Sequence, residues 1–205
     1  MRIAPVSLLL ALWCHAATGV AAQPMGALKV LVTDAQGKPL QDAVVLLEPA
    51  VGRLPVKPMA QVDIGQSKRQ FTPQITVITV GTPVNFPNFD TVRHQVYSFS
   101  PIKSFELKLY AGVPNAPVVF DKPGIAVLGC NIHDQMTAWV VVVDTPHHAR
   151  TPASGEVQLD AVTPGAYRLR AWHAGVPAGM EPEPQAITIG ATPTTAQLRL
   201  PATAP

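Results

Sequence analysis

A chain of 205 residues, 47% of them hydrophobic, is long enough for one large domain or two small ones. A formal charge of +2 excludes a nucleic-acid or membrane-surface role carried by bulk charge. The 22 prolines and 14 glycines, with little charge and short β-branched apolar runs, point to an all-β protein.

Met1 and Arg2 open with a positive charge. An apolar run from Val6 to Trp13, interrupted only by Ser7, leads to the small residues Gly19-Val20-Ala21-Ala22. This is the pattern of a secretory signal peptide over residues 1–22, cleaved near Ala22. The run is too short to span a bilayer, and no later stretch supplies the roughly 20 apolar residues a membrane helix needs. The expectation is an exported, periplasmic protein with no membrane insertion and a charge that falls from +2 to +1 when Arg2 is removed. Bulky Trp13 argues against lipid attachment at Cys14, which leaves with the signal.

Ala27 to Pro49 reads as strand, turn, strand: Leu28, Val30 and Val32 alternate before Asp34-Ala35-Gln36-Gly37-Lys38-Pro39, and Ala43 to Leu47 resumes the apolar run. Residues 51–70 contain proline, show little periodicity and read as a connection. Ile75 to Val80 is β-branched, and Val84-Asn85-Phe86 begins the approach to His94. Short strands then read at Gln95 to Phe99, Ser104 to Tyr110, Pro117 to Phe120, Gly124 to Cys130 and Thr137 to Val143, a spacing that fits a two-sheet sandwich. The tail repeats the style, with strands at Gly155 to Leu159, Pro164 to His173, Gln185 to Ile189 and Thr195 to Leu200.

Chemistry concentrates at His94 and in Cys130-Asn131-Ile132-His133-Asp134-Gln135-Met136. With the signal removed, Cys130 is the sole cysteine. A lone thiol in an oxidising compartment is an orphan, a buried filler or a ligand. His133 and Met136 follow it at steps of three, between two strands, which favours the ligand. One thiolate, two imidazoles and a thioether are the donor set of a blue-copper electron-transfer site, so the metal ligands are read as His94, Cys130, His133 and Met136. Asn88 and Asn131 are placed either to hydrogen-bond the ligand loops or to serve as ordinary turn residues. His147-His148 reads as an exposed linker pair, His173 as structural, and Phe89, Tyr97 and Tyr110 as packing residues.

From about Ser67 to Val143 the chain resembles a cupredoxin of the plastocyanin and amicyanin type, Cys-x2-His-x2-Met being the short amicyanin-like ligand loop. The whole chain resembles exported cupredoxin-containing proteins often labelled methylamine utilization proteins. Val32-Thr33-Asp34-Ala35-Gln36-Gly37-Lys38-Pro39-Leu40 and Pro164-Gly165-Ala166-Tyr167-Arg168-Leu169 resemble the opening and closing of a carboxypeptidase regulatory-type sandwich. These resemblances imply an all-β fold: a cupredoxin Greek-key β-sandwich over residues 67–146, plus a second small transthyretin/Ig-like β-sandwich from residues 23–50 and 151–205. Alternatively, the opening strand pair adds to the cupredoxin sheet and only the tail is separate. Gln95 departs from the Asn that many cupredoxins carry after the first His, and puts in doubt the usual bridge between ligand segments.

The leading expectation is a carrier of single electrons, holding one type 1 copper and serving an unidentified periplasmic redox donor and acceptor. A copper chaperone or resistance protein, and a metal-independent interaction module, are the alternatives. An enzyme is not expected. The ligand loop has no second Cys for a dinuclear centre, the chain has no further His-rich clusters for oxygen or nitrite, and no Cys-x-x-Cys-His offers haem attachment.

Overall fold

The computed structural model describes residues 24–177 and 179–201, so the signal peptide expected over 1–22, with Cys14 and Ala22, lies outside the described residues. In strand β1 (Gly26–Thr33) the alternation of Leu28, Val30 and Val32 places every second side chain at full burial, as a pleated strand with one covered face requires. The neighbours of β1 come from the far end of the chain. It pairs antiparallel with β14 (Glu156–Val162) and parallel with β17 (Thr194–Arg199). A second sheet runs in the order β13 (His147–Arg150), β2 (Val44–Pro49), β15 (Gly165–Trp172) and β16 (Gln185–Ile189). Leu28, Val30 and Val32 from one sheet and Val45, Leu47 and Leu169 from the other share one buried core. Each such side chain contributes roughly 1.5–3 kcal/mol of burial.

Between β2 and β13 lies a second sandwich. Its larger sheet has the order β6 (Ile75–Thr79), β12 (Thr137–Val143), β11 (Gly124–Gly129), β8 (His94–Ser100), β9 (Lys103–Tyr110). The smaller sheet runs β10 (Val118–Phe120), β7 (Thr82–Asn85), β3 (Val62–Asp63), and a hairpin of β4 (Gly65–Ser67) and β5 (Gln70–Thr72) stands beside them. The described residues are thus all-β, with no helix among them and none long and apolar enough to cross a membrane.

Strand β12 explains an apolar run that does not alternate. Ala138, Val140 and Val142 face the inner core with Phe86, Phe120 and Leu128, while Val141 and Val143 face outward. That outer face is covered by Val44 and Leu46, the outward side chains of β2, and by Ile75. Two buried faces leave no position for a polar residue. At the edge of this junction the rings of Trp139 and Trp172 lie 6.4 Å apart, and Arg150 donates to the Ile75 carbonyl at 3.0 Å and pairs with Asp42 at 2.6 Å.

Three sequence expectations need correction. Residues 51–70 are not a bare connection, because β3, β4 and the start of β5 fall within them. Segments of two or three residues are too short to show a period. His147-His148 is not an exposed linker pair: both are half-buried and open β13, opposite Leu47 and Leu46. Phe89 is no packing residue, being 71% exposed.

Candidate metal centre

Two segments bring the donors to one end of the inner sandwich. Cys130 follows the last residue of β11, whose antiparallel partner β12 begins at Thr137, so the whole ligand loop spans a single strand-to-strand connection. A turn bond from the Met136 amide to the His133 carbonyl, 2.9 Å, folds that loop back. His94 is the first residue of β8 and is fully buried. One ligand atom each of His94, Cys130 and His133 lies within 4.8 Å of the others. Cys130 Sγ is 3.9 Å from His94 Nδ1, and the two imidazole rings meet edge on, with centroids 5.0 Å apart. Met136 is buried with Cys130 in the inner core.

The donor set fits a soft thiolate-accepting ion. His133 Nδ1 is buried without any hydrogen-bond partner. An imidazole nitrogen withdrawn from water in that way costs about 1–3 kcal/mol unless something accepts its lone pair or proton. His94 Nε2 is engaged elsewhere, which leaves its Nδ1 facing the thiol. Both imidazoles therefore offer a nitrogen to the same cluster, beside a thiol that is itself buried.

Asp90, which sequence reasoning left without a role, completes the surroundings of His94. Its Oδ2 is 2.8 Å from His94 Nε2 and also accepts the Arg69 amide at 2.9 Å, while Oδ1 accepts the Lys68 amide at 2.7 Å. The Arg69 amide foremost, with His94 and the Lys68 amide, holds the Asp90 carboxyl below the ordinary carboxylate range against the opposing pull of burial. A carboxylate behind a ligand imidazole fixes which nitrogen faces the metal. The signal in the sequence is an acidic residue four positions before a candidate ligand histidine.

The other expected neighbours hold loops rather than sulfur. Asn88 donates to the carbonyls of Val92 and Tyr110, at 2.9 and 3.1 Å, and accepts the Asp90 amide at 3.0 Å, which shapes the turn into His94. Asn131 is exposed. Gln95 reaches Glu106 on β9 and makes no bridge to the ligand loop among the described residues. Tyr110 donates to the Phe86 carbonyl and accepts from the buried Gln66 amide, both at 2.6 Å. Burial, against the opposing Gln66 bond, pushes the Tyr110 phenol up to about 12. Away from the site, His173 Nδ1 accepts the Gly175 amide at 3.0 Å, a turn contact.

No family model and no curated protein matches the chain. Among solved structures it is similar to amicyanin from Paracoccus versutus, at 20% identity over 42% of this chain and 92% of that one, with a TM-score of 0.35. It is also similar to a purple cupredoxin from Nitrosopumilus maritimus, at 24% identity over 42% of this chain and all of that one, TM-score 0.36. A copper-containing nitrite reductase from Thermus scotoductus is similar at 24% identity over 55% of this chain and 28% of that one, TM-score 0.38.

Proposed function

We propose that this is an exported blue (type 1) copper protein that carries single electrons between periplasmic redox partners and is not an enzyme. The observation that carries the reading is the buried, unpartnered His133 Nδ1, on a ring that offers one ligand atom within 4.8 Å of ligand atoms of Cys130 and His94. His94, Cys130 and His133 would hold the ion in the trigonal plane, with the Met136 thioether as the weak fourth donor. Bound copper supplies a one-electron Cu(II)/Cu(I) couple. The chain supplies the rest. Asp90 keeps His94 in one orientation, the buried thiol binds as thiolate, and the half-buried His133 ring presents its outer edge to a partner.

Two domains are part of the same reading. The pairing of β1 and β2 with strands of the tail supports a discontinuous carboxypeptidase regulatory-like sandwich, residues 23–50 with 151–205, around a cupredoxin domain of residues 67–146. The pairing of β3 with β7 favours a start of the inner sandwich a few positions earlier, at Val62.

Cu(II) addition to the metal-free protein, followed by optical and electron paramagnetic resonance spectroscopy, tests the proposal. An intense visible thiolate-to-copper band with narrow parallel hyperfine splitting, bleached reversibly by reductant and absent in Cys130→Ser, is expected. Colourless copper binding, or loss of copper with oxidation of Cys130, would favour a chaperone instead and overturn it.

A further inference from the structure

The hairpin of β4 and β5 closes through two residues, Lys68 and Arg69, with Ser67 opposite Gln70. Both have φ in the left-handed region, 54° and 58°. A two-residue turn of that kind favours Asn-Gly, because side chains with a Cβ pay a conformational cost there. This chain instead places two long cations side by side. Their backbone is held by Asp90, which spends both oxygens on the two amides and on His94. The side chains remain exposed, and among the described residues neither enters a salt bridge.

The surroundings of this tip distinguish it from an ordinary solvated turn. On one side Lys68, Arg69 and Gln70 form the wall of a recess of about 400 Å³ whose other wall is His133, Asp134 and Gln135. On the other, Lys68 and Gln70 border a second recess of about 500 Å³ that ends at Phe89, which is 71% exposed. A cationic ridge thus stands between the accessible edge of a metal ligand and an exposed aromatic ring. Asp134 faces the ridge across the first recess and the exposed Asp63 lines the second, while the charge of Asp90 is turned inward toward its three donors.

We propose that the Lys68–Arg69 ridge, with the two recesses it divides, is a docking surface for the carboxylate-bearing face of a protein redox partner. Charge complementarity selects the partner: two unpaired cations on a fixed turn attract anions and raise the encounter rate at low salt. The Asp90 tie keeps the ridge in constant register with His94, so a partner seated on it stands at a fixed distance from the metal ligands. The docking role rests on the copper reading for its purpose, while the attraction for anions does not.

The redox-inert paramagnetic anion hexacyanochromate(III), added to the isotope-labelled protein in metal-free and Cu(I)-loaded forms, tests the surface by amide line broadening. Broadening centred on residues 68–70 and 133–135 in both forms, lost in a Lys68→Gln/Arg69→Gln variant and retained in Lys29→Gln, is expected. Gln makes the same backbone demands as Lys or Arg, so the double variant folds as the parent does. Oxidation of the reduced copper protein by hexacyanoferrate(III) slows several-fold at low salt in the double variant. Oxidation by the cationic tris(phenanthroline)cobalt(III) does not slow. Even broadening over all basic residues, or a centre elsewhere, overturns the docking surface even when the blue band is present. A missing blue band with broadening at the ridge overturns the copper reading alone.

Discussion

Asp90 Oδ2 and His94 Nε2 lie 2.8 Å apart, and the carboxylate that fixes the imidazole is itself fixed by the amides of a neighbouring hairpin. Asp90→Ala leaves a fully buried His94 N–H without its acceptor, at a cost of about 1–3 kcal/mol in folding stability. Metal affinity falls roughly 10- to 100-fold, the usual cost of losing such an orienting partner. Thermal unfolding of the metal-free protein and chelator competition measure the two effects. Asp90→Asn, which retains an acceptor oxygen, loses less on both.

Met136 is 1% exposed, and its amide closes the ligand-loop turn without help from its side chain. Met136→Gln therefore keeps the loop and the coloured site. The harder amide oxygen favours Cu(II) over Cu(I), so the reduction potential falls and the visible spectrum shifts. Voltammetry and absorption read both changes. An unchanged potential would remove Met136 from the coordination sphere.

Tyr110 gives a pH signature. Its folded-state value of about 12 lies above the ordinary 10, so the native protein retains a phenol proton that the unfolded chain releases. That contribution to stability is complete below pH 10 and is lost as pH rises toward about 12. Absorbance near 295 nm, in roughly the phenolate range, shows a late tyrosine phase that Tyr110→Phe removes.

Of the three tryptophans in the sequence, Trp139 and Trp172 face each other across the junction of the two sandwiches, and a chain expressed from Gln23 onward carries no other. Intrinsic fluorescence then reports that junction alone. Trp172→Ala removes an aromatic pair worth about 0.5–1.5 kcal/mol beyond its buried area. The expected result is a separation of the unfolding transitions of the two sandwiches in denaturant, followed by fluorescence and by the visible copper band.

The sequence showed the strands where chemistry and period coincided. Leu28, Val30 and Val32 alternate on one covered face, and the Cys130 to Met136 spacing announces a loop between strands whatever its metal. It concealed β3 and β4, because a pairing that lasts two or three residues leaves no periodic trace, and β3 is paired only by the distant β7. Asp90 was legible as a residue but not as a partner. Its role depends on Lys68 and Arg69, which lie more than twenty positions earlier and come near only when the hairpin folds back. His147 and His148 were misread for a related reason: a proline beside two polar residues looks like a linker until β2 supplies the opposite edge.

Strand β1 has a consequence for the order of assembly. Its two hydrogen-bonding neighbours begin at Glu156 and Thr194, so Leu28 waits for Leu159 on one side and Thr194 on the other. The inner sandwich, by contrast, is contiguous from Val62 to Val143. Distant pairings form late because chain entropy opposes them until the intervening segment is compact. The inner sandwich thus acts as a spacer that must fold first and bring the two ends of its host within reach. A nascent or truncated chain lacking Thr194–Arg199 presents β1 as an open edge, a site for pairing with other chains, while its metal loop is already complete.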